Sequence, residues 1–183
     1  MKPLAFLAAV LLAVTASAER PAEWAQPVVL EGVENLYRVT PFLYRSRQPT
    51  RAGMANLEKL GVRTVIDLRA FHSDRKELAG TRLKQVHIGV KTWWISEGQV
   101  VAVLKALRRR ENGPFLIHCQ HGADRTGLMA AMFRIVEQGW SKEAAIKELR
   151  EGGYGFHPQW KNIVRRLERA DRARLKALVD AAL

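Results

Sequence analysis

The ten residues from 118 to 127, HCQHGADRTG, place the one cysteine of the chain close to an arginine. Five residues separate Cys119 from Arg125, and most of them are small or polar. A turn of this length can point successive backbone N–H groups inward as an anion-binding nest. Arg125 can close the ring with a planar guanidinium that binds two oxygens of a phosphate group. The types and spacing of these residues predict an oxyanion site.

The elements on either side of this loop must hold it in place. Phe115-Leu116-Ile117-His118 is typical of a short buried strand, and Leu128, Met132 and Ile135 follow at helical spacing. The loop therefore leads into a helix N-terminus, whose dipole favours an anion. The same field favours the thiolate form of Cys119, which is the nucleophilic form. The sequence predicts that Cys119 attacks phosphorus and forms a phosphocysteine.

The other loop residues have supporting roles in this hypothesis. Gly122 permits the backbone conformation that a tight turn requires. Thr126 is expected to donate its hydroxyl to the sulfur and help it leave in the second step, whereas His118 is expected to point away from the turn. No metal or cofactor is expected, because the five histidines show no ligand spacing. The predicted phosphate-binding residues are Gln120, His121, Gly122, Ala123, Asp124 and Arg125.

The segment HCQHGADRTG matches the HC-x5-R-[ST] signature, and with it the chain resembles the dual-specificity branch of the cysteine-dependent protein tyrosine phosphatases. The segments NLYRV, LYRS, TVIDLR and MAAMFRIVEQGW resemble exported bacterial members of that family, so the resemblance covers most of residues 35–155. It implies hydrolysis of protein phosphotyrosine, or also of phosphoserine and phosphothreonine, on a phosphorylated envelope protein. An inositol or lipid phosphatase, a phosphate-binding pseudophosphatase and a sulfurtransferase remain alternatives.

One part of the family pattern is missing. Members usually carry an aspartic acid about 25 to 30 residues before the cysteine, which protonates the leaving oxygen. Residues 89–99, GVKTWWISEGQ, contain no aspartate, and Trp93 occupies the expected position. Glu97 and Asp124 are the candidate acids. Glu97 could instead be a first-turn carboxylate favoured by the helix dipole, and Asp124 could instead pair with a positive group and stiffen the loop.

Trp93 and Trp94 offer a second interpretation of the same segment. Their rings could form an apolar wall beside the loop, against which a phosphotyrosine ring would stack. The alternative is that one of the two tryptophans belongs to the core.

The first 18 residues have the pattern of a secretory signal peptide. Lys2 supplies a positive charge, the segment from Leu4 to Val14 is apolar, and Ala16-Ser17-Ala18 is an A-x-A cleavage site. We therefore expect an exported, periplasmic protein that is cleaved after Ala18. Residues 19–26 are expected to form a short tail, and residues 28–183 the catalytic domain.

The length of 183 residues suits one domain of α/β architecture. Segments with the character of strands alternate with helical ones, which favours a mostly parallel sheet of about four to five strands flanked by helices. Strands are predicted at 36–39, 43–46, 62–68, 82–88 and 115–118. Besides the helix after the loop, helices are predicted at 50–60, 74–79, 96–110, 141–150 and 159–181.

The chain is strongly basic, with 30 Lys and Arg against 18 Asp and Glu and a formal net charge of +12. Many of these charges fall on the predicted final helix, opposite an apolar face, as in an ordinary solvated surface helix. Weak association with an anionic membrane surface or attraction of acidic substrates is the alternative. Nucleic-acid binding is not expected of an exported chain without interleaved aromatic residues, and we expect a monomer.

Overall fold

The computed structural model describes residues 19–181, so the predicted signal peptide lies outside the described residues. A six-stranded sheet with strand order β1-β2-β3-β6-β4-β5 forms the centre of the fold. Strands β3, β6, β4 and β5 pair in parallel, and β1 and β2 extend the sheet on the β3 side in antiparallel fashion. The strands are β1 (Gln26–Pro27), β2 (Tyr37–Thr40), β3 (Leu43–Arg47), β4 (Thr64–Arg69), β5 (Lys84–Val90) and β6 (Phe115–Cys119).

The predicted α/β architecture is confirmed, with one strand more than expected. The additional strand, β1, has two residues, which is too short for any hydrophobic period to reveal it.

Seven α-helices cover the sheet, and none among residues 19–181 is long and apolar enough to cross a membrane. One apolar layer packs α3 and α4 against one sheet face, and a smaller layer packs α1 against the other. The helices are α1 (Arg51–Lys59), α2 (Arg75–Leu78), α3 (Glu97–Arg108), α4 (Asp124–Val136), α5 (Lys142–Glu151), α6 (Lys161–Glu168) and α7 (Arg172–Asp180).

The C-terminal region differs from the prediction of one helix over 159–181, which is wrong. The chain breaks between α6 and α7, and Asp171 caps the second helix by accepting a hydrogen bond from the Arg174 backbone N–H at 2.9 Å. Aspartate is among the best N-cap residues, so it starts a new helix where the apolar period suggests continuity.

Residues 19–26, expected as a tail, pack against the domain. Ala25 is buried, and its N–H donates to Glu148 Oε1 at 2.7 Å. Arg20 donates to the carbonyl oxygens of Ala25 and Gly152 and to the hydroxyl of Tyr154. The packed part of the chain therefore includes residues that precede position 28.

The parallel strands place four chain segments at one edge of the sheet. Their carboxyl ends are Arg47, Arg69, Val90 and Cys119, because parallel strands all end on the same side. In α/β sheets this is the edge at which ligands bind. The predicted loop begins there.

Candidate active site

Cys119 is the last residue of β6, and α4 begins at Asp124 after a turn of four residues. The register pairs Cys119 with Arg47 of β3, so the neighbouring strand fixes the position of the sulfur-bearing residue. Cys119 is only 2% exposed and is a free thiol. The structure thus confirms the predicted passage from a strand through a tight turn into a helix.

The carbonyl groups of the four turn residues are all engaged by donors. Three of the donors come from distant parts of the chain, and the fourth is the first backbone bond of α4. The pairs are Gln48 N to Gln120 O at 3.4 Å, Asn35 Nδ2 to His121 O at 3.0 Å, Arg45 Nη2 to Gly122 O at 2.8 Å and Gly127 N to Ala123 O at 3.0 Å.

The direction of these carbonyls decides the direction of the amides. In a trans peptide the N–H points opposite to the preceding C=O, so carbonyls held on one side turn the N–H groups of residues 121–124 to the other. Within residues 19–181, no backbone N–H of residues 121–126 donates a hydrogen bond. The N-cap of α4, Ala123, also supplies no side-chain cap. A row of free amides at a helix N-terminus is an anion-binding site.

Gly122 allows the turn to pass close to β3. Its φ of +71° lies in the left-handed region, and a Cβ placed on it would lie 2.5 Å from backbone atoms of Ser46 and Arg47. Any side chain at this position would therefore push the turn away from the strand. The predicted role of Gly122 is confirmed.

Arg125 and Thr126 keep free donors at the start of α4. Arg125 Nη1 donates to Val90 O at 3.3 Å, whereas its Nε is buried and has no acceptor within the described residues. Thr126 is fully buried, and its hydroxyl likewise has no partner in that part of the chain. The predicted hydrogen bond from Thr126 to the sulfur is thus not among its contacts. Both residues have donor capacity left for a bound group.

Arg45 lies on the same sheet face as Cys119, a feature that the sequence analysis missed. Register pairs Arg45 with Ile117, and side chains two residues apart share a face. Arg45 is 2% exposed, and its guanidinium carbon lies 3.6 Å from the centre of the Tyr154 ring. Burial lowers the pKa of Arg45, while Tyr154, Glu148 and Cys119 act in the opposite direction. A buried cation therefore lies behind the loop.

His118 points away from the turn, as predicted, and its partner is Asp74. His118 Nε2 and Asp74 Oδ2 lie 2.7 Å apart in the fully buried interior, and Gln48 Nε2 donates to Asp74 Oδ1 at 2.8 Å. Burial acts to raise the pKa of Asp74, but the contacts with His118 and Gln48 hold it below its usual value. The hydrogen-bonded aspartate thus joins β6 to the chain after β4. The sequence alone does not indicate this pair, because His118 and Asp74 are 44 residues apart along the chain.

Asp124 is engaged by His157, a second residue that the sequence analysis missed. Its Oδ1 accepts from the His157 backbone N–H at 3.0 Å, and the His157 ring Nδ1 lies 2.9 Å from Oδ2. His157 in turn stacks edge-on against His121, with ring centres 5.9 Å apart. These contacts tie α4 to the segment after α5, which is the stiffening role considered for Asp124. Its role as an acid stays a prediction.

Glu97 forms an ion pair away from the loop residues. Its Oε1 accepts a hydrogen bond from Arg174 Nη2 at 3.0 Å on the exposed surface of α3 and α7. That hydrogen bond holds the pKa of Glu97 below its usual range. Trp93 and Trp94 are 63% and 66% exposed, so neither is a core residue. Their predicted stacking against a phosphotyrosine ring stays a prediction.

Groups that could bind a metal occur behind the loop. The ligand atoms of Asp67, Asp74 and His118 lie within 4.8 Å of one another, and the same holds for His72, Asp74 and Glu77. Asp74 is already bonded to His118 and Gln48. The expectation of a metal-free reaction stays a prediction.

Replacing Gly122 with alanine should destroy the anion site. We expect Gly122→Ala to weaken binding of inorganic phosphate by about tenfold or more, because the added methyl group meets the β3 backbone at 2.5 Å. Titration calorimetry with phosphate measures this loss. Gly80→Ala is the matched control, since Gly80 also has a positive φ, +91°, but no atom within 4 Å of its Cβ position. Equal phosphate affinity in Gly122→Ala and the wild type would contradict the geometry.

Comparisons with known proteins agree with this site. The family model described as "DSP-PTPase phosphatase fused to NAD+ Kinase" matches residues 26–168. The dual specificity protein phosphatase TpbA of Pseudomonas aeruginosa strain UCBPP-PA14 is 41% identical over 146 residues, and TpbA of a second strain is 42% identical over 142 residues. These matches cover 79% and 77% of this chain, but 66% and 63% of the relatives, slightly less than two thirds of their length.

Solved structures extend the likeness to three dimensions. The crystal structure of P. aeruginosa TpbA has a TM-score of 0.80 at 36% identity and covers 88% of this chain and 99% of that one. A TpbA cysteine-to-serine variant in complex with pTyr matches with the same TM-score at 35% identity. The catalytic domain of the PP-IP phosphatase SIW14 from S. cerevisiae, at 23% identity and a TM-score of 0.73, shares the fold. The chain belongs to the cysteine-dependent tyrosine and dual-specificity phosphatase family.

Proposed function

We propose that this protein hydrolyses phosphomonoesters through a cysteinyl-phosphate intermediate and that protein phosphotyrosine is its substrate. One observation carries the proposal: the four turn carbonyls that follow Cys119 are all bonded to donors, which leaves the turn amides and the Nε of Arg125 free to bind an oxyanion. The pTyr bound in a TpbA variant is a property of that relative and supports the same chemistry here.

The first step transfers the phosphoryl group to sulfur. The Cys119 thiolate attacks phosphorus, an S–P bond forms, and the P–O bond to the leaving group breaks. The three non-bridging oxygens then face the turn amides and the Arg125 guanidinium, which stabilise the charge that develops on them. The electron pair of the broken bond stays on the leaving oxygen, which takes a proton.

The second step returns the enzyme to its starting state. Water attacks the phosphocysteine, the S–P bond breaks, and inorganic phosphate and the thiolate are released. Thr126, whose hydroxyl has no partner within residues 19–181, is proposed to donate to the departing sulfur. This lowers the cost of the negative charge that forms there.

The leaving group decides which ester reacts fastest. The carboxylate of Glu97 is paired with Arg174, and that of Asp124 accepts hydrogen bonds from His157, so both act as acceptors. A leaving oxygen that receives little help from an acid must be stable as an anion. The phenol of tyrosine, with a pKa of about 10, meets this condition far better than the alcohols of serine and threonine. We therefore propose phosphotyrosine as the preferred substrate.

An inositol or lipid phosphate is the second candidate substrate. The inositol diphosphatase DSP5 of Arabidopsis thaliana is 29% identical to this chain over 122 residues. Parallel assays with a phosphotyrosine peptide and an inositol phosphate compare the two directly.

Removing the nucleophile should abolish turnover and leave binding. We expect Cys119→Ser to lower the rate of para-nitrophenyl phosphate hydrolysis on the order of a thousandfold or more. Phosphate binding should remain measurable by calorimetry, because the amides and Arg125 are unchanged. Wild-type activity should persist in EDTA. A wild-type protein that binds phosphate without turnover would instead be a pseudophosphatase, and thiosulfate-to-cyanide transfer would indicate a sulfurtransferase.

Varying the leaving group tests whether Asp124 is the general acid or only stiffens the loop. We expect Asp124→Asn to lower kcat/KM by less than about tenfold, equally for aryl phosphates with good and poor leaving groups, since it loosens the bond with His157. Glu97→Gln, which breaks a surface pair with Arg174, is the control and should stay close to the wild-type rate. A loss confined to the poor leaving group would identify the substituted residue as the proton donor.

We also propose that the protein acts in the cell envelope as a monomer, on a phosphorylated envelope protein and in weak association with an anionic membrane surface. The leader pattern supports export, and the basic residues of α6 and α7 support attraction to anionic surfaces. Arg20, two residues after the proposed cleavage point, already contacts the domain, so cleavage would leave the packed structure complete.

Processing of the leader tests the proposed location. In a host with a secretory pathway, the wild type should yield a periplasmic product whose mass corresponds to a chain that starts at Glu19. Ala18→Arg should block cleavage, because a small residue is needed next to the cut, whereas Ser17→Arg occupies the tolerant middle position of the A-x-A site. Intact-mass spectrometry of periplasmic and cytoplasmic fractions measures both. A full-length wild-type product in the cytoplasm would contradict export.

A further inference from the structure

A groove of about 460 Å³ lies between the segment that follows β5 and the two C-terminal helices. We call it the tryptophan–arginine groove, after the six residues of these two types that line it. They are Trp93, Trp94, Arg165, Arg166, Arg169 and Arg174.

Three of the four arginines form no ion pair with any described residue, although Arg166 lies close enough to Glu97 for its charge to lower the pKa of that carboxyl. Within residues 19–181, no ion pair or side-chain hydrogen bond involves Arg165, Arg166 or Arg169, and the Nε of Arg166 is buried without an acceptor. The fourth, Arg174, is paired with Glu97. Guanidinium groups gathered in one groove without counter-ions repel one another, so an anionic ligand would relieve this repulsion.

The carboxylates near the groove are already engaged. Glu97 binds Arg174, and the side chain of Asp171 caps α7. The groove therefore has a surplus of positive charge that its own acids do not neutralise. This surplus belongs to a chain whose formal net charge is +12.

The two tryptophans form the other side of the groove. Trp93 and Trp94 are 63% and 66% exposed, whereas tryptophan side chains are highly buried on average. Exposed aromatic rings beside arginines can contact the backbone and the aliphatic side-chain atoms of an extended polypeptide. The guanidinium groups can at the same time bind its carboxylates.

The groove is physically joined to the catalytic loop. Arg125 donates to the carbonyl of Val90, and Asn162 of α6 donates to the carbonyl of Thr92 at 2.8 Å. Trp93 is three residues from Val90, so their Cα atoms lie at most about 11 Å apart. An extended peptide advances about 3.3 to 3.6 Å per residue. A chain that places its phosphotyrosine in the loop can thus reach the groove within about three to five residues.

From these contacts we infer that the tryptophan–arginine groove binds an acidic segment of the substrate polypeptide, three to five residues away from the phosphotyrosine. This inference rests on the proposed phosphotyrosine phosphatase function. A concave site lined by separate arginines fits a polypeptide with spaced carboxylates better than the flat surface of a bilayer. The groove would select among phosphorylated proteins, while the loop performs the chemistry.

The test compares matched phosphotyrosine peptides in a low-salt buffer. One peptide has alanine on both sides of the phosphotyrosine, a second has two glutamates three and four residues after it, and a third has them three and four residues before it. We expect the wild type to hydrolyse one acidic peptide with a kcat/KM about fivefold higher than the alanine peptide. At about 0.5 M NaCl the preference should disappear, since the Debye length falls to a few Å.

The variants locate that preference in the groove. Arg166→Gln/Arg169→Gln should reduce the ratio between acidic and alanine peptides to about one, without changing the rate on para-nitrophenyl phosphate, which is too small to reach the groove. Arg169→Gln alone, a substitution of an exposed residue, gives a partial loss even if the double variant is unstable. Arg172→Gln is the matched control, because this exposed arginine of α7 does not line the groove.

Several results would overturn the inference. Equal kcat/KM values of the wild type for all three peptides would contradict it, and so would a double variant that keeps the full preference. Loss of binding to phosphatidylglycerol vesicles in the double variant, without any peptide preference in the wild type, would assign the groove to a membrane instead. Hydrolysis of para-nitrophenyl phosphate but of none of the peptides would refute the proposed substrate class itself.

Discussion

The chemistry of this protein depends on the direction of four consecutive peptide groups. Each carbonyl of residues 120–123 is held by a donor outside the anion site, so the amides that follow face into it. If one of these peptides flipped, a carbonyl oxygen would replace an N–H group beside the bound phosphate. An attraction would become a repulsion at the distance of a hydrogen bond. The donors from Asn35, Arg45 and Gln48 are therefore as necessary as the loop itself.

A buried cation, Arg45, holds this loop from behind by donating to the carbonyl of Gly122. Burial lowers the pKa of Arg45. The Tyr154 ring and the charge of Glu148 act in the opposite direction and partly offset the cost of burying the guanidinium group. Glu148, however, already binds Arg134 through two hydrogen bonds of 2.9 Å. Two buried guanidinium groups thus share one carboxylate. A negative charge in the site, on the Cys119 sulfur or on a bound phosphate, would neutralise the second of these two positive charges. The interior that supports the loop accordingly favours an anion in front of it.

The sequence predicts those parts of the structure that depend on neighbouring residues. The loop from Cys119 to Arg125 and the start of the helix predicted at 96–110 are local patterns, and both are found as expected. At that helix start, the side chains of Ser96 and Gln99 form a capping box. The donors to the loop are not local, since Asn35 and Arg45 lie 86 and 77 residues from the carbonyls they bind. The spacing of residues along the chain therefore does not predict these contacts.

Two segments were predicted wrongly because the hydrophobic pattern does not show polar contacts. The apolar period across residues 159–181 continues through Asp171, and only the capping hydrogen bond reveals that a new helix starts there. Residues 19–26 have no period at all, yet Ala25 is buried because Glu148, a residue of α5, accepts its N–H. In both cases a polar contact that the hydrophobic pattern does not record sets the local structure. An N-cap aspartate contributes about 0.5 to 2 kcal/mol to its helix, and leaving the buried N–H of Ala25 unpaired would cost about 1 to 3 kcal/mol.

The segment between β5 and α3 supports the proposal that the leaving group decides which ester reacts fastest. Its backbone is tied down at several points: Gln99 Nε2 donates to Gly89 O at 2.7 Å, Asn162 Nδ2 to Thr92 O at 2.8 Å, and Trp94 N to Lys91 O at 3.1 Å. A segment held in this way is not built to bring an acid into the site by closing over the substrate. It also carries no aspartate to bring. The anchored segment instead presents two tryptophans beside the arginines of α6 and α7. In the proposed function, this segment therefore serves substrate recognition at the place where the family pattern has the proton donor.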